Sequence, residues 1–360
     1  MKRSLQRALS VLALALALVL MLMLMLMPRL VHAEPPMMKE QSVHPRIEAR
    51  SDDGRYSVSL GGFIQGRYTL AFRDTTLAES RFDTPRTRFY VFGHVHSKDV
   101  RYRLMMGTPP SSLSVELYDA YIDWRVNDAM HLRTGHFKIP VYREWVESAR
   151  LLASVERSIL TQTLSPGRDW GAMITGELFA ARLDYAVGLF NGGKRVQNVG
   201  PLAAGRLAWN TLGRSIEGEV DFENSPLALV IGLSGYTSLA TSGQRESAGG
   251  VEIAYRERGL DVTVEAMGRE RKDPEGKTSF TAGLYARADK YVPSLRASFG
   301  GRATRVVFIG EPGTRTEIDI DAGYYPAEHD MKLAMNVGLG RLHDENAWEP
   351  FFMMQVQAGF

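Results

Sequence analysis

The stretch Thr84–Val95 reads TPRTRFYVFGHV, and it concentrates the chemistry of the chain. Arg86 and Arg88 stand two residues apart, while Phe89, Val91 and Val95 occupy the other parity. In a strand, successive side chains point to opposite faces. One face here carries guanidinium groups and the other is apolar. Guanidinium is a permanently charged planar fork of N–H donors that matches phosphate and carboxylate bidentately. The chemistry on offer is anion recognition. Arg67, Arg101, Arg103, Arg125 and Arg133 fall on the polar parity of neighbouring segments, together with Asp119 and Asp123.

Nothing points to catalysis. The chain has no cysteine nucleophile, no HExxH, no GxSxG and no GxxxxGK[ST]. His94 and His96 form an H-x-H pair on the arginine face. A metal could use two such imidazoles, but no third ligand stands nearby and Arg86 and Arg88 would repel a cation. They are read as lumen-lining or aqueous-end histidines. No ATP, metal or redox cofactor is implied.

The elements that must position these residues begin with an address. Lys2, Arg3 and Arg7 precede the apolar run Val11–Met27, and Val31–Ala33 places small residues at a cleavage site. Residues 1–33 therefore read as a secretory signal peptide, with a retained membrane anchor as the alternative. The formal charge of +2 comes from 43 basic and 41 acidic residues. The leader holds Lys2, Arg3, Arg7 and Arg29 and no acid, so the remainder has 39 basic against 41 acidic residues, a net of −2. Anion binding must rest on where charges sit, not on their sum. An exported chain without cysteine is stable by packing and hydrogen bonding alone.

Residues 34–54 are polar and read as a linker or plug-like tail. From Arg55 to Phe360 the chain runs in short alternating segments divided by Gly, Pro, Asn and Asp. Val58, Leu60, Ile64, Tyr68, Leu70 and Phe72 oppose Gln65, Arg67, Thr69 and Arg73. Tyr118, Ala120, Ile122, Trp124 and Val126 oppose Asp119, Tyr121, Asp123 and Arg125. Ile318, Ile320 and Ala322 oppose Glu317, Asp319 and Asp321. The polar parity carries full charges, and aromatics such as Tyr68, Phe72, Tyr118 and Trp124 fall toward segment ends. About sixteen segments at roughly twenty-residue spacing predict an all-β transmembrane antiparallel barrel over residues 55–360. A two-sheet soluble sandwich is the alternative. An alternating last segment ending in Phe360 resembles the final strand that bacterial outer-membrane barrels carry.

One region breaks the alternation. Residues 138–169 are too long for a simple connection. Trp145, Ala149, Leu152, Ala153, Val155 and Ile159 recur at near-helical spacing. The region is predicted to be a long, partly helical loop folding into the lumen, where Lys138, Arg143, Arg150, Arg157 and Arg168 would line a constriction. A solvated surface loop is the alternative.

An arginine on the lipid face costs about 2–4 kcal/mol at mid-bilayer, so the strand arginines should face water. Between Arg55 and Lys138 there are 12 basic and 8 acidic residues, whereas Glu265, Glu317, Asp319 and Asp321 stand on the polar parity later. The lumen should then present a basic wall to an acidic one, unless the charges pair across it and only support the wall. Basic rings favour anions.

The chain resembles the phosphate-selective porin O and P family of outer-membrane channels. The resemblance is sharpest over residues 62–171, in GGFIQGRYTL, RTRFYVFGHV, ELYDAYIDW, GHFKIP followed by Glu144, VERS and RDWG. GRLAW, with Arg206 as a further pore-lining residue, and GLYARADKYV resemble later family strands. The resemblance implies a bacterial outer-membrane homotrimer of 16-stranded barrels. Each pore would be narrowed by an inward loop and use arginines along its wall and lysines at its constriction. Lys138 is the only lysine between Lys98 and Lys194, so the lysine cluster is missing. Arg143, Arg150 and Arg157 could take its place.

The function expected is a passive channel for small solutes, anion-preferring and phosphate-selective in the family sense, with no cofactor and no nucleic-acid partner. The alternatives are a general or cation-tolerant porin of the same fold, a non-conducting structural or adhesive barrel, and a soluble periplasmic sheet protein.

Overall fold

The computed structural model describes residues 47–73, 76–109, 114–127, 129–192, 200–213, 216–238, 245–309, 313–342 and 348–360. The expected signal peptide, residues 1–33, and most of the 34–54 stretch lie outside them. Alternation produces long antiparallel strands. They are β1 (Ile47–Arg50), β2 (Ser57–Arg73), β3 (Thr76–Val95), β4 (Ser97–Thr108), β5 (Glu116–Asn127) and β6 (Met130–Lys138). After an inward loop come β7 (Arg168–Leu178), β8 (Leu183–Phe190), β9 (Leu202–Leu212), β10 (Ala228–Ser238), β11 (Arg245–Glu257) and β12 (Leu260–Lys272). The last are β13 (Thr278–Val292), β14 (Ala297–Ile309), β15 (Thr314–His329), β16 (Met331–Leu342) and β17 (Glu349–Gly359).

From β2 onward each strand pairs with the next, and β17 returns to pair with β2 through Met354 opposite Tyr68 and Gln357 opposite Gln65. Sixteen strands thus close into a transmembrane barrel. The chain end completes the seam, because Gly62 and Phe360 exchange backbone bonds of 2.9 and 3.0 Å. Beyond that point β1 takes over the edge of β2, with Ile47 opposite Leu60 and Arg50 opposite Ser57. Four residues of the expected linker are therefore sheet. Closure leaves no open edge, which a strand in lipid requires.

The wall is inside-out relative to a soluble domain. Ile64, Ile122, Leu233, Ile320 and Val356 are exposed on its outer face, while Gln65, Glu265, Arg302, Lys332 and Gln357 are buried within. An apolar outer band around a polar interior is what a bilayer-spanning barrel presents, and it excludes the two-sheet sandwich.

Two irregularities re-aim side chains. The β2–β3 register shifts between Gln65 opposite Arg86 and Arg67 opposite Asp83. The extra β3 residues hold Pro85, which cannot donate to a ladder and is placed at bulges. The shift brings Asp83 to the lumen beside Arg67. A second shift lies between Met105 opposite Asp119 and Met106 opposite Leu117. It turns Tyr118 inward, against the cluster of Phe63, Tyr90 and Met105. The expectation of Tyr118 on the apolar face is corrected accordingly. Trp124 is half-exposed on the outer face, as expected.

The short connections between strands gather at one mouth, which also holds Phe360. The other mouth holds the 138–168 connection. They are called the turn mouth and the loop mouth below.

Candidate functional site

The loop between β6 and β7 folds into the lumen. Ile139, Val141, Tyr142, Leu160 and Leu164 are buried against Tyr236, Met267, Tyr285 and Val306 on the inner wall. It does not form one helix along the Trp145–Ile159 stripe. It holds two short ones, α1 (Arg143–Val146) and α2 (Ile159–Leu164), separated by irregular chain.

The reason lies in its backbone partners. Helices this short are marginal without external support, and each end leaves unsatisfied N–H and C=O groups. Glu265 accepts the N–H groups of Arg143 at 3.0 Å and Glu144 at 2.7 Å. Lys138 Nζ donates to the carbonyls of Val146 at 3.2 Å and Glu147 at 2.8 Å. Arg157 donates to the carbonyls of Glu144 at 3.0 Å and Glu147 at 2.7 Å. Further along, Asn336 accepts from Val155 N at 2.8 Å, and Lys332 donates to Leu152 O at 2.7 Å. Arg302 donates to Glu156 O at 2.8 Å and Arg269 to Thr163 O at 3.1 Å. Ser158 caps α2, its hydroxyl accepting from Thr161 N at 3.2 Å. Charged groups of the wall replace the bonds that a continuous helix would have made.

The predicted arginines divide into three groups. The first is tied to the frame. Arg143 is buried and donates to Ile216 O at 2.5 Å, and Arg150 is buried and paired with Asp330. Arg206 forms a bond of 3.2 Å to Glu252. Arg133 pairs with Asp123 at 2.8 Å and covers the Tyr121 ring at 4.2 Å. Arg101 and Arg125 sit toward the turn mouth, with Arg101 donating to Lys98 O and Arg125 lying 3.7 Å from Asp99.

The second group is charged but neutralised. Arg67 pairs with Asp83 at 2.8 Å and Glu156 at 3.2 Å. Arg86 pairs with Glu156 and donates to Gln65 Oε1 at 3.0 Å. Burial alone would raise Glu156, but Arg86, Arg157 and Arg67 outweigh it and hold the carboxyl below its ordinary range. Arg103 lies 3.9 Å from Asp119 and over the Tyr90 ring.

The third group is a basic cluster where the inward loop leaves and rejoins the wall. Lys138 closes β6 and Arg168 opens β7, and the two are cross-strand partners. Arg157 reaches them from the loop and Arg88 from β3. Arg88 lies 3.7 Å over the Tyr118 ring, which Arg168 also approaches at 5.3 Å. Trp145 is approached by Lys138 at 5.4 Å, Arg157 at 5.5 Å and Arg168 at 5.9 Å. Asp119 accepts from Arg168 Nε at 2.8 Å, and the charge of Glu156 acts on Arg157. Arg88 instead donates to the carbonyls of Thr87 at 2.9 Å and Thr108 at 2.8 Å. Burial and the charge of Arg86 push Arg157 down to about 10, so it remains a cation at neutral pH.

The cluster retains donors. Two of the three Lys138 N–H bonds are used, and the Nη2 groups of Arg88 and Arg168 are not committed to carbonyls or carboxylates among the described residues. Buried Trp145 Nε1–H has no partner among the described residues. Converging free N–H donors of positive charge fit an oxyanion. They repel a cation.

The described residues hold no metal cluster of His, Cys, Asp or Glu. His94 Nδ1 lies 2.7 Å from Ser57 Oγ and Nε2 lies 3.0 Å from Gly54 O, as a wall residue near the turn mouth. His96 occupies a turn position with φ 67.

Sequence reasoning missed Asp83, Glu156, Tyr118 and Trp145 as parts of this site. Pro85 inside a strand was a legible sign of the bulge that places Asp83. Tyr118 carried no such sign.

No family model matches the chain, and no curated protein matches it. Solved structures do. The anion-selective porin from Comamonas acidovorans superposes with a TM-score of 0.60 at 10% identity, covering 85% of this chain and 100% of that one. The outer membrane channel DcaP of Acinetobacter baumannii gives 0.59 at 12% identity, covering 87% and 99%. OmpT, an outer membrane protein of Vibrio cholerae in its trimer form, gives 0.58 at 11% identity, covering 84% and 99%. This chain shares the fold of outer-membrane porins over nearly their whole length.

Proposed function

We propose that the protein is an outer-membrane porin, a water-filled channel through which small anions diffuse passively. The observation that carries this reading is the cluster of Arg88, Lys138, Arg157 and Arg168 beside the paired carboxylate of Asp119, at the place where the inward loop meets the wall. The inward loop packs on the inner wall against Tyr236, Met267, Tyr285 and Val306, and Arg88, Lys138 and Arg168 would line the passage beside it. Guanidinium and ammonium donors favour oxyanions, and phosphate-like solutes are the class the sequence resemblance names. Residues 1–33 would export the chain to the bacterial outer membrane, and three copies would assemble, as the trimeric Vibrio cholerae protein of the same fold does. No catalytic step or cofactor enters this reading.

A second reading is favoured by the pairing of Arg67 and Arg86 with Asp83 and Glu156. If such pairs neutralise the passage, the protein is a general porin without ion preference.

Single-channel recording in a planar bilayer tests both. Discrete chloride-carrying steps are expected, reduced when inorganic phosphate is added on one side. No steps from correctly folded protein would remove the channel reading. Steps indifferent to phosphate would leave a channel and remove the phosphate preference.

A further inference from the structure

The connection between β9 and β10 is unlike the others at the turn mouth. There β3 and β4 are joined by His96 alone, and β11 and β12 by Arg258 and Gly259. Residues 216–227 instead fold back into the barrel. Ile216 is buried against Ala208, Val230 and Ala254 on the inner face of β9–β11. Val220 packs with Tyr291, Tyr325 and Ala153, the last of these on the inward loop. The Phe222 ring stands edge-on to Tyr291 at 5.0 Å, Tyr325 at 5.1 Å and His329 at 4.9 Å.

This segment and the inward loop enter from opposite mouths and bond to each other. Arg143 Nη2 donates to Ile216 O at 2.5 Å, and Gly218 N donates to Glu147 Oε2 at 2.8 Å. Glu219 N donates to Leu151 O at 3.1 Å, and Ala153 N donates to Glu219 Oε2 at 2.8 Å. The wall fixes the segment in turn. Arg256 donates to the carbonyls of Glu217 and Gly218, both at 2.9 Å. Arg287 donates to Glu219 O at 3.1 Å, and Asp221 accepts from Gly259 N at 2.7 Å. Gly218 takes φ +68, a conformation that a side chain would strain.

We propose that residues 216–227 are a second pore-defining element, which fastens the inward loop from the turn mouth and sets the largest solute that passes. The inference rests on the channel reading above. The two ends of the loop are held by β6 and β7 at the loop mouth. Its middle, Glu147–Ala153, has no helix of its own and is held by this segment together with Gln65, Gln357, Lys332 and Asp330 of the wall. Removing the segment takes away four hydrogen bonds and the Val220 contact, so the middle of the loop can move away from its seat. Among the described residues, Arg88, Lys138, Arg157 and Arg168 make no bond to the segment, so the charges that favour anions stay in place.

The test uses full-length protein in two forms. One replaces residues 213–227 with a short Asn-Gly turn, the type that joins adjacent strands tightly. The other is the double variant Glu147→Ala with Glu219→Ala, which keeps the chain length and the wall intact and reports even where the shortened form does not fold. Folding is checked by heat-modifiable migration. Conductance is read in planar bilayers and the size limit by swelling of liposomes in neutral sugars of increasing mass. The expected result is a conductance raised above that of the wild type and entry of larger sugars. Folded variants with the wild-type conductance and size limit would overturn the proposal. A wild-type protein that never conducts would overturn the channel reading itself, and is told apart by its own recording.

Discussion

Lys138 and Arg168 stand directly opposite each other across the β6–β7 ladder. Like charges in that relation destabilise a sheet, and Arg157 and Arg88 add to the excess, which Asp119, shared with Arg103, and Glu156, shared with Arg67 and Arg86, answer. A wall chosen for stability would place an acid at one of the two positions. Lys138→Gln keeps a donor for the carbonyls of Val146 and Glu147 and removes the charge. The anion-to-cation permeability ratio should fall while the barrel folds as before, which reversal potentials and heat-modifiable migration measure together.

Arg88 has no carboxylate partner among the described residues and rests on the Tyr118 ring at 3.7 Å. Its charge acts on the passage without local cancellation. A charge about 6 Å from a permeating ion in water is worth about 0.7 kcal/mol, or about threefold in relative permeability. Arg88→Gln should lower the anion preference by about that factor. Arg133→Gln, which loses a guanidinium already paired with Asp123, should change it less.

Glu156 offers a pH test. Its carboxyl is held below the ordinary range because Arg86, Arg157 and Arg67 outweigh the cost of burial. A depressed pKa means that its pairing is intact above the ordinary glutamate value and is lost as pH falls through the lower folded value. Anion preference should be flat from neutral pH down to about pH 4.3 and rise below it as Arg67 and Arg86 are released. Glu156→Gln should show the raised preference already at neutral pH and lose the acid-dependent rise.

Glu265 holds the start of α1 through two backbone N–H groups. Glu265→Leu leaves both buried donors unsatisfied, at about 1–3 kcal/mol each. The expected outcome is a lower melting temperature and noisy, fluctuating single-channel current with the loop unseated. Steady current at wild-type stability would show that these bonds do not hold the loop.

Ile320 lies mid-strand on the outer face and is 67% exposed. Ile320→Arg should cost about 2–4 kcal/mol of folding stability in a bilayer, seen as a shifted denaturant midpoint in liposomes. Ile320→Leu should be neutral.

Much of the barrel was legible because its signal is local. Alternation alone placed Gln65, Arg86, Asp119, Asp123, Glu265 and Asp319 inward and Phe89, Ile122 and Ile320 outward. It failed where one residue was inserted, since a bulge reverses the parity that follows it. Asp83 and Tyr118 were lost that way. The inward loop was legible from its length and charge, and its partly helical character from the spacing, though not where its two short helices fall. The spacing of Trp145 to Ile159 marks residues that pack, and the backbone between them is satisfied by Lys332, Asn336 and Glu219 from far along the chain. Fates of individual arginines were illegible for the same reason. Arg143 and Arg150 are bound to Ile216 and Asp330, partners that no spacing rule connects to them. No spacing rule connects the segment 216–227 to the inward loop, and only the closed barrel shows what it reaches.

The central claim is that the passage prefers anions. The reversal potential of the purified wild-type protein in a planar bilayer, under a gradient of potassium chloride, tests it most directly. The account expects a potential of the sign set by chloride, reduced when Arg88 and Lys138 are neutralised. A potential of the sign set by potassium would contradict it.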